Sequence, residues 1–220
     1  MLLYQRNASM LLYNANLSPN ALRVRAVAHE LGIALEIVEV DLRKGENRSE
    51  AFLTLNANGK VPVLVDGDFV LWESRAINAY LASLKSEQGL YPEDKRKRAI
   101  VDQWSYWQAI HLGPAMQRVA FERLLKSKFG MGEPDEKALE GPLKDIAQFL
   151  AVLDQNLSDK EWVAGELSIA DFAIASTFVY RKGSNISLEH VPHVSTWIDR
   201  LEERSSWKAA VRPVLELQNT

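Results

Sequence analysis

Residues 58–76 read Asn-Gly-Lys-Val-Pro-Val-Leu-Val-Asp-Gly-Asp-Phe-Val-Leu-Trp-Glu-Ser-Arg-Ala, and this stretch decides the fold. Two short apolar runs, residues 61–65 and 69–72, flank Asp66-Gly67-Asp68. Asp-Gly between runs of β-branched residues is the strongest short-range indication of a hairpin. The second run continues through Glu73-Ser74 into apolar residues at helical spacing. The stretch therefore predicts a strand, a turn, a second strand and a helix.

The residues before this stretch predict two more strands and two more helices. A short strand at 11–13 precedes Ser18-Pro19, and Ser at the cap position with Pro at the first helical position indicates a helix start. Gly32 ends that helix, the alternating run 33–42 predicts a strand, and residues 49–55 predict a short helix. Because a helix joins the first two strands, we expect them to be parallel with a right-handed crossover.

The remainder of the chain predicts helices only. Residues 95–128 show a long helical pattern that Pro114 is expected to kink. Residues 169–181 are apolar on every side, as expected of a helix buried at the centre of a bundle. The expected organisation is an α+β domain of order βαβαββα at residues 1–84, a linker at 85–93, and an all-α helical bundle at 94–220.

Composition excludes several classes of function. The net charge of −3 provides no basic field for nucleic acid. The chain has no cysteine, which excludes disulfides, thiolate metal sites and an enzyme thiol nucleophile. Its four histidines lack metal-ligand spacing, and no apolar run is long enough to span a membrane. No signal peptide is visible, so the sequence predicts a cytoplasmic protein without a metal, a nucleic-acid partner or a membrane anchor.

Short motifs stand at defined points of this predicted order. They are Ser18 after the first strand, Val61-Pro62 before the third, Glu73-Ser74 after the fourth, and Val-Ala-Gly-Glu-Leu-Ser-Ile-Ala-Asp at 163–171. In this order and spacing the chain resembles the cytosolic glutathione transferases, in particular bacterial, serine-type members like those of the theta, phi and nu classes. The resemblance covers nearly the whole chain. It implies a thioredoxin-like domain followed by a helical domain, a homodimer, and glutathione as co-substrate.

The resemblance implies a glutathione site around two of these motifs. The family has a cis peptide bond at the position of Val61-Pro62, which leaves the Val61 main chain free to pair with the cysteinyl unit as an added strand. Glu73 and Ser74 lie at a helix N-terminus, where free N–H groups and the helix dipole favour a carboxylate. Ser74 therefore suits the carboxylate of the γ-glutamyl end, and Glu73 suits its ammonium group. A simple helix cap is the alternative role for Ser74.

The glycyl carboxylate of glutathione requires a cation at the opposite end of the site. Arg48 and Lys60 are the candidates, and Asn47 aligns with a histidine in some related classes. Plain solvated surface charges are the alternative for Arg48 and Lys60.

Activation of the glutathione sulfur is implied for Ser18 or Asn20. A free thiol has a pKa of about 8.5, whereas the thiolate is the nucleophile. A hydroxyl that donates to sulfur at a helix N-terminus favours the thiolate. Ser-Pro-Asn-Ala-Leu-Arg-Val at 18–24 resembles the serine type, and Asn20 is the second candidate because some bacterial members with Thr-Pro-Asn use the amide as well.

The second substrate is expected to bind between the domains. On the long predicted helix, Tyr106, Ile110 and Met116 are the candidates for lining a pocket for a small hydrophobic electrophile or peroxide. Core packing is the alternative for each of them. Ser168-Ile-Ala-Asp171 is read as a capping box that serves folding.

Two other functions remain open at this point. One is glutathione-dependent reduction of disulfides or peroxides without an enzyme cysteine, which Ser18-Pro19-Asn20 also permits. The other is a non-catalytic binding protein of glutathione-transferase type, which the intact set of motifs opposes.

Overall fold

The computed structural model describes residues 10–128 and 130–218. Within them, one mixed sheet has the strand order β2-β1-β3-β4, formed by β1 (Met10–Asn14), β2 (Leu35–Glu39), β3 (Val63–Asp66) and β4 (Phe69–Trp72). β1 and β2 are parallel, as the sequence predicts, and β3 is antiparallel to both β1 and β4. β2 is shorter than the predicted run 33–42 because its partner β1 ends at Asn14, opposite Glu39.

The predicted hairpin between β3 and β4 is confirmed. Asp66 pairs with Phe69, so Gly67-Asp68 forms a two-residue turn. Gly67 has a φ of 62°, a value that glycine adopts without steric cost. β4 leads directly into a helix and thereby brings Glu73-Ser74 to the edge of the sheet.

Three helices accompany the sheet and complete the order βαβαββα, which confirms the prediction. They are α1 (Pro19–Glu30), α2 (Glu50–Leu55) and α3 (Ser74–Ser83). α1 packs against α3 on its own side and against the helices Ile169–Ala175 and Ser205–Gln218 of the helical part, and so lies between the two halves of the chain.

The helical part follows the thioredoxin-like part. Its helices are α4 (Lys95–Trp107), α5 (Gly113–Ala120), α6 (Lys126–Lys128), α7 (Glu140–Asn156), α8 (Ile169–Ala175), α9 (Pro192–Glu202) and α10 (Ser205–Gln218). α8 is buried at every position, as predicted, and continues as a 3₁₀ turn at Ser176–Tyr180. The domain limits at 84 and 94 remain a prediction, because one hydrophobic core runs through both halves.

The long helix predicted for 95–128 is interrupted rather than simply kinked. A π-helical turn at Gln108–Leu112 separates α4 from α5, and a second one at Phe121–Leu125 separates α5 from α6. Pro114 lies in the first turn of α5 and has no N–H to donate to the turn before it, which explains a break at this point.

Two properties of the described part bear on partners. None of its helices combines the length and apolarity required to cross a bilayer. In the same residues, no cluster of three or more His, Asp or Glu side chains is arranged to hold a metal ion.

Candidate functional site

The N-terminus of α1 provides the first part of the site. Ser18 has extended main-chain torsion angles, and its Oγ accepts a hydrogen bond from the Ala21 N–H at 3.3 Å. Pro19 occupies the first helical position, where an N–H is not needed. Within residues 10–128 and 130–218, no acceptor is bonded to the Ser18 hydroxyl. Because a hydroxyl carries one proton and two lone pairs, Ser18 can cap α1 and still donate to a ligand.

A cavity of about 420 Å³ opens beside Ser18. Its walls come from the start of α1, from the interrupted helix α4–α5 and from the 3₁₀ turn after α8, so it lies between the two halves of the chain. The residues at its wall include Leu17, Ser18, Asn20, Arg23, Leu42, Arg75, Gln108, Ala109, Gly113, Met116, Ala120, Thr177 and Tyr180. Most of this wall is apolar, and its polar groups lie on α1 and α3 on one side and on α4–α5 and the 3₁₀ turn after α8 on the other.

A smaller cavity of about 70 Å³ adjoins the large one. Asn20 and Arg75 line both cavities, which makes them two compartments of one site. The remaining residues of the small compartment are Asn56, Asn58, Lys60, Val61, Pro62, Glu73 and Ser74. The Val61-Pro62 peptide bond is cis, the form that the family resemblance implies.

Glu73 and Ser74 are held at the start of α3 by an unusual main chain. Glu73 has a φ of 72° and a ψ of 107°, which a non-glycine residue adopts only at a cost of about 1–3 kcal/mol. This conformation leaves the Glu73 side chain exposed while Ser74 is buried, 4% exposed. Two adjacent residues can therefore present a carboxylate and a hydroxyl to the same small compartment.

The residues predicted for the glycyl end divide into two groups. Lys60 lines the small compartment, and its carbonyl oxygen accepts a bond from Asn56 Nδ2 at 2.7 Å. Asn47 Nδ2 instead donates to the Gly59 carbonyl oxygen at 2.7 Å. Arg48 is exposed, with its side chain beside Gly59. Asn47 therefore shapes the loop that carries Lys60, and neither Asn47 nor Arg48 lines the cavities described above.

The prediction for the electrophile pocket requires a correction. Met116 lines the large cavity, but Tyr106 and Ile110 do not, and they are 63% and 66% exposed. In place of Tyr106 and Ile110, the cavity wall beside Met116 contains residues that include Gln108, Ala109 and Gly113. The small residues Ala109 and Gly113 leave room for the cavity, whereas the sequence predicts large apolar side chains at its wall.

Several residues at the cavity were not predicted. Arg75 directly follows the Glu73-Ser74 motif, so its position could have been noticed. Gln108 is 1% exposed, and its Oε1 has no hydrogen-bond partner among the residues that the structure describes. A Cβ at Gly113 would lie 2.5 Å from Gln108 Nε2, so the glycine makes room for this amide. Tyr180 donates its hydroxyl to the Leu17 carbonyl oxygen at 2.5 Å, and nothing local in the sequence indicates that contact.

Two buried guanidinium groups give this wall a positive potential. Burial lowers the pKa of Arg23 well below its ordinary value, and the neighbouring charge of Arg75 lowers it further, while Glu73 opposes this change. Burial likewise lowers the pKa of Arg75, again opposed by Glu73. Both groups are guanidinium ions of high intrinsic pKa and remain charged at neutral pH. The wall shared by the two compartments therefore favours an anionic ligand.

The arrangement combines three chemical capacities. A hydroxyl donor lies at a helix N-terminus beside the large cavity, and a second helix N-terminus lies at the small compartment. Between the two stand Asn20 and Arg75. Such a site can bind an anionic molecule that extends across the two compartments and can stabilise negative charge beside Ser18.

Two family models match this chain. The model described as the N-terminal domain of glutathione S-transferase matches residues 8–83, and the model of the C-terminal domain matches residues 112–205. Together they cover most of the sequence, in the order of the two halves of the structure.

Individual relatives and structures agree with the family models. The chain is 35% identical over 207 residues to "Probable glutathione S-transferase GSTF2" of rice, Oryza sativa subsp. japonica, which covers 92% of this chain and 96% of the relative. A solved glutathione S-transferase I bound with lactoylglutathione superposes with a TM-score of 0.87 at 31% identity, covering 94% of this chain and 100% of that one. Maize glutathione S-transferase I in complex with an atrazine glutathione conjugate gives a TM-score of 0.86 at 32% identity, covering 94% and 98%.

Proposed function

The chain belongs to the glutathione S-transferase family, and from this premise we propose that it binds glutathione and delivers its thiolate to an electrophilic or peroxide substrate. The observation that carries the proposal is the joint position of Ser18 and Asn20. Ser18 lines the large cavity beside a helix N-terminus, and Asn20 links that cavity to the compartment of Val61, Glu73 and Ser74. The serine-type, bacterial character expected from the sequence remains a prediction.

Ser18 is the proposed group that activates sulfur. Its Oγ accepts the Ala21 N–H, which directs the hydroxyl proton away from the helix and towards a ligand. Donation of this proton to sulfur, together with the N-terminal dipole of α1, favours the thiolate over the thiol. A fall of two pKa units, about 2.7 kcal/mol, makes the thiolate the main species at pH 7. Asn20 is the second donor in this proposal.

The small compartment is the proposed site for the peptide. The Val61 main chain pairs with the cysteinyl unit, Ser74 and the α3 N-terminus hold the γ-glutamyl carboxylate, and Glu73 receives the ammonium group. Lys60 is the proposed partner of the glycyl carboxylate. Arg48 and Asn47 support the same loop from outside the compartment.

The reaction consists of a substitution at the second substrate. The thiol proton leaves to solvent, the sulfur forms a bond to an electrophilic carbon or to a peroxide oxygen, and the leaving group departs with the electron pair. The mainly apolar wall that contains Met116 and Ala109 suits a small hydrophobic molecule.

We also propose that the protein forms a homodimer in the cytoplasm. Six large apolar side chains lie exposed, on the edge strand β4 and along α4 and the turn after it: Phe69, Val70, Trp72, Ile100, Tyr106 and Ile110. Exposed apolar side chains are typical of an interface where they form one contiguous patch. A dimer would explain why Tyr106 and Ile110 are large and apolar although they do not line the cavity, and analytical ultracentrifugation tests it.

The experiment that tests the function begins with binding and ends with chemistry. Retention on immobilised glutathione, followed by titration of the ultraviolet absorbance of the bound thiolate, is expected to give a thiol pKa well below about 8.5. An aryl halide, a hydroperoxide and a mixed disulfide then separate transfer from peroxide or disulfide reduction. Binding without turnover of any of the three would support the non-catalytic alternative, and failure to bind glutathione would refute the proposal.

A further inference from the structure

Arg23 is buried in α1 and joins the two halves of the site. It is 2% exposed and contributes to the wall of the large cavity. Its Nη1 donates to Ser74 Oγ at 3.5 Å, and its Nε donates to Ser176 Oγ at 3.0 Å. Ser176 belongs to the helical part and donates its own hydroxyl to the Ala173 carbonyl oxygen at 2.9 Å. A chain of hydrogen bonds therefore runs from the helical part through Arg23 to Ser74.

Within residues 10–128 and 130–218 Arg23 forms no ion pair with a carboxylate, although the charge of Glu73 acts on it from beyond ion-pair distance. Other partly buried arginines do form ion pairs, since Arg181 pairs with Glu202 and Arg204 pairs with Glu30. Arg75, the neighbouring cation, donates to the Ser105 carbonyl oxygen but forms no ion pair among residues 10–128 and 130–218 either. Burying a charge without an ion-pair partner is costly, so the buried Arg23 and the half-buried Arg75 at one wall favour an anion that completes the site.

We propose that Arg23 is a positioning residue for the α-carboxylate at the γ-glutamyl end of glutathione, and that it acts through Ser74. This inference rests on the proposed function and adds a residue to it. Arg23 fills one lone pair of Ser74 Oγ, so the Ser74 proton is left to donate into the small compartment. The same contact places the guanidinium charge behind the bound carboxylate.

Ser176 fixes the geometry of this relay. Its hydroxyl proton is committed to Ala173, so its lone pair accepts from Arg23 Nε and sets the plane of the guanidinium group. The helical part, which supplies the electrophile side of the cavity, thereby also contributes to recognition of glutathione. Arg75 lines both compartments and adds a second cation at the same place.

An anionic group on the electrophile is the competing ligand for Arg23, because Arg23 lines the large cavity. The bond to Ser74 favours glutathione, since Ser74 lines the small compartment and not the large one. Arg23 itself does not line the small compartment, so its effect on the peptide must pass through Ser74.

The test compares two peptides in calorimetric binding to the full chain. Glutathione carries the α-carboxylate, whereas γ-aminobutyryl-cysteinyl-glycine lacks only this carboxylate and keeps the ammonium group. Because the ammonium partner Glu73 is unchanged in every variant, the comparison reports on the carboxylate. Arg23→Met is expected to weaken glutathione binding about tenfold or more, as for loss of a charge-assisted hydrogen bond, and to change binding of the analogue by less than about twofold. Arg23→Lys is expected to recover part of the loss.

Arg25→Met is the matched control, because Arg25 is buried two residues further along the same helix. It donates to Asn14 and to the Ala210 carbonyl oxygen, away from Ser74. We expect Arg25→Met to lower the melting temperature but to leave the ratio of the two peptide affinities unchanged. Arg23→Met should weaken glutathione binding less in the Ser74→Ala background than in the wild type. The reason is that Ser74→Ala has already broken the hydrogen-bond relay.

The outcomes separate this inference from the proposed function. If the wild type does not bind glutathione, the proposed function fails. If the wild type binds glutathione and Arg23→Met weakens both peptides equally, the inference about Arg23 is overturned. The inference is also overturned if Arg23→Met leaves glutathione affinity unchanged and raises the KM for a carboxylated electrophile but not the KM for a neutral electrophile.

Discussion

In the described part of the chain serine caps three helices, with Ser18 at α1, Ser49 at α2 and Ser168 at α8, and the serines at α1 and α8 are held differently. At α8, the Ser168 N–H and hydroxyl both donate to Asp171 Oδ2, at 2.9 and 3.0 Å, and Ser168 is 2% exposed. At α1, Ser18 accepts the Ala21 N–H, no acidic residue occupies the first turn, and the hydroxyl lines the large cavity. A capping serine whose hydroxyl proton is donated within the fold contributes to stability. A capping serine whose hydroxyl proton has no acceptor among the described residues can donate it to a ligand.

The contrast extends to the surroundings of each cap. Asp171 is fully buried and accepts further bonds from the Val163 N–H and the Trp197 indole, each at 3.0 Å. These contacts tie α8 to α9 and to the segment before α8. Ser18 has no comparable set of neighbours among the described residues, since its helix N-terminus opens on a cavity. Substitution of either serine is therefore expected to lower stability, but only substitution of Ser18 is expected to change turnover.

The largest expected effect is on stability at the α8 cap. Asp171→Ala removes the acceptor of four hydrogen bonds at a buried site, and we expect the unfolding free energy to fall by about 3–5 kcal/mol, the range for breaking a buried charged network. Chemical denaturation measures this loss, and Asp171→Asn provides a variant that keeps the side-chain volume. A loss below about 1 kcal/mol would show that α8 does not depend on this box.

The next effect is a pH dependence that belongs to α8 alone. Burial raises the pKa of Asp171 from 3.8 to about 6, despite the hydrogen bonds that lower it. A carboxyl with a raised folded pKa stabilises the fold below its unfolded pKa and loses that contribution as pH rises through the folded pKa. We expect about 3 kcal/mol of stability to be lost between about pH 4 and pH 6, because a pKa difference of one between the folded and unfolded states corresponds to about 1.4 kcal/mol.

The difference between wild type and Asp171→Asn isolates this contribution from other titrating groups. Unfolding curves for both proteins across the range should diverge as pH rises, with the wild type losing stability faster. Parallel curves would mean that Asp171 titrates with an ordinary pKa.

At α1 the main expected effect is on turnover and on the pKa of the bound thiol, and the effect on stability is smaller. Ser18→Ala removes the proposed donor to sulfur, so we expect turnover to fall at least about tenfold, equivalent to about 1.4 kcal/mol, and the pKa of the bound thiol to rise. The loss of the cap itself is expected to lower the unfolding free energy by about 1 kcal/mol. Steady-state rates and thiolate titration measure the first two quantities.

Asn20→Ala serves as the comparison for Ser18, because Asn20 lines the same cavity without capping α1. If Ser18→Ala leaves both turnover and thiol pKa unchanged while Asn20→Ala alters them, the sulfur-activating role passes to Asn20. If neither variant changes the thiol pKa, the comparison between the two serines fails.

Local features of this structure were accessible from the sequence. The Gly67-Asp68 turn, the Ser18-Pro19 helix start and the Ser168–Asp171 box each depend on residues within a few positions of one another. Their torsion angles and hydrogen bonds follow from residue type and spacing, and the structure confirms all three.

Features that depend on distant packing were not accessible. Arg23 bonds to Ser176, 153 residues away, and nothing beside either residue indicates the contact. The buried place of Gln108 depends on a π-helical turn and on Gly113, whereas periodicity assumes a regular helix. Tyr106 and Ile110 were misplaced because an apolar side chain at helical spacing does not reveal whether it faces a cavity, a core or a partner subunit.

The smallest expected effect separates the two serines most directly. Ser168→Ala removes one hydroxyl from the α8 cap but keeps the Asp171 carboxylate and its bonds to Val163 and Trp197. We expect the unfolding free energy to fall by about 1 kcal/mol, similar to the loss for Ser18→Ala. Turnover per folded molecule and the thiol pKa should stay within error of the wild type, because Ser168 does not line either compartment of the site. Equal stability losses with unequal turnover would establish that only the cap at α1 is used in chemistry, whereas a matching fall in turnover for Ser168→Ala would mean that α8 acts on the site through its packing against α1.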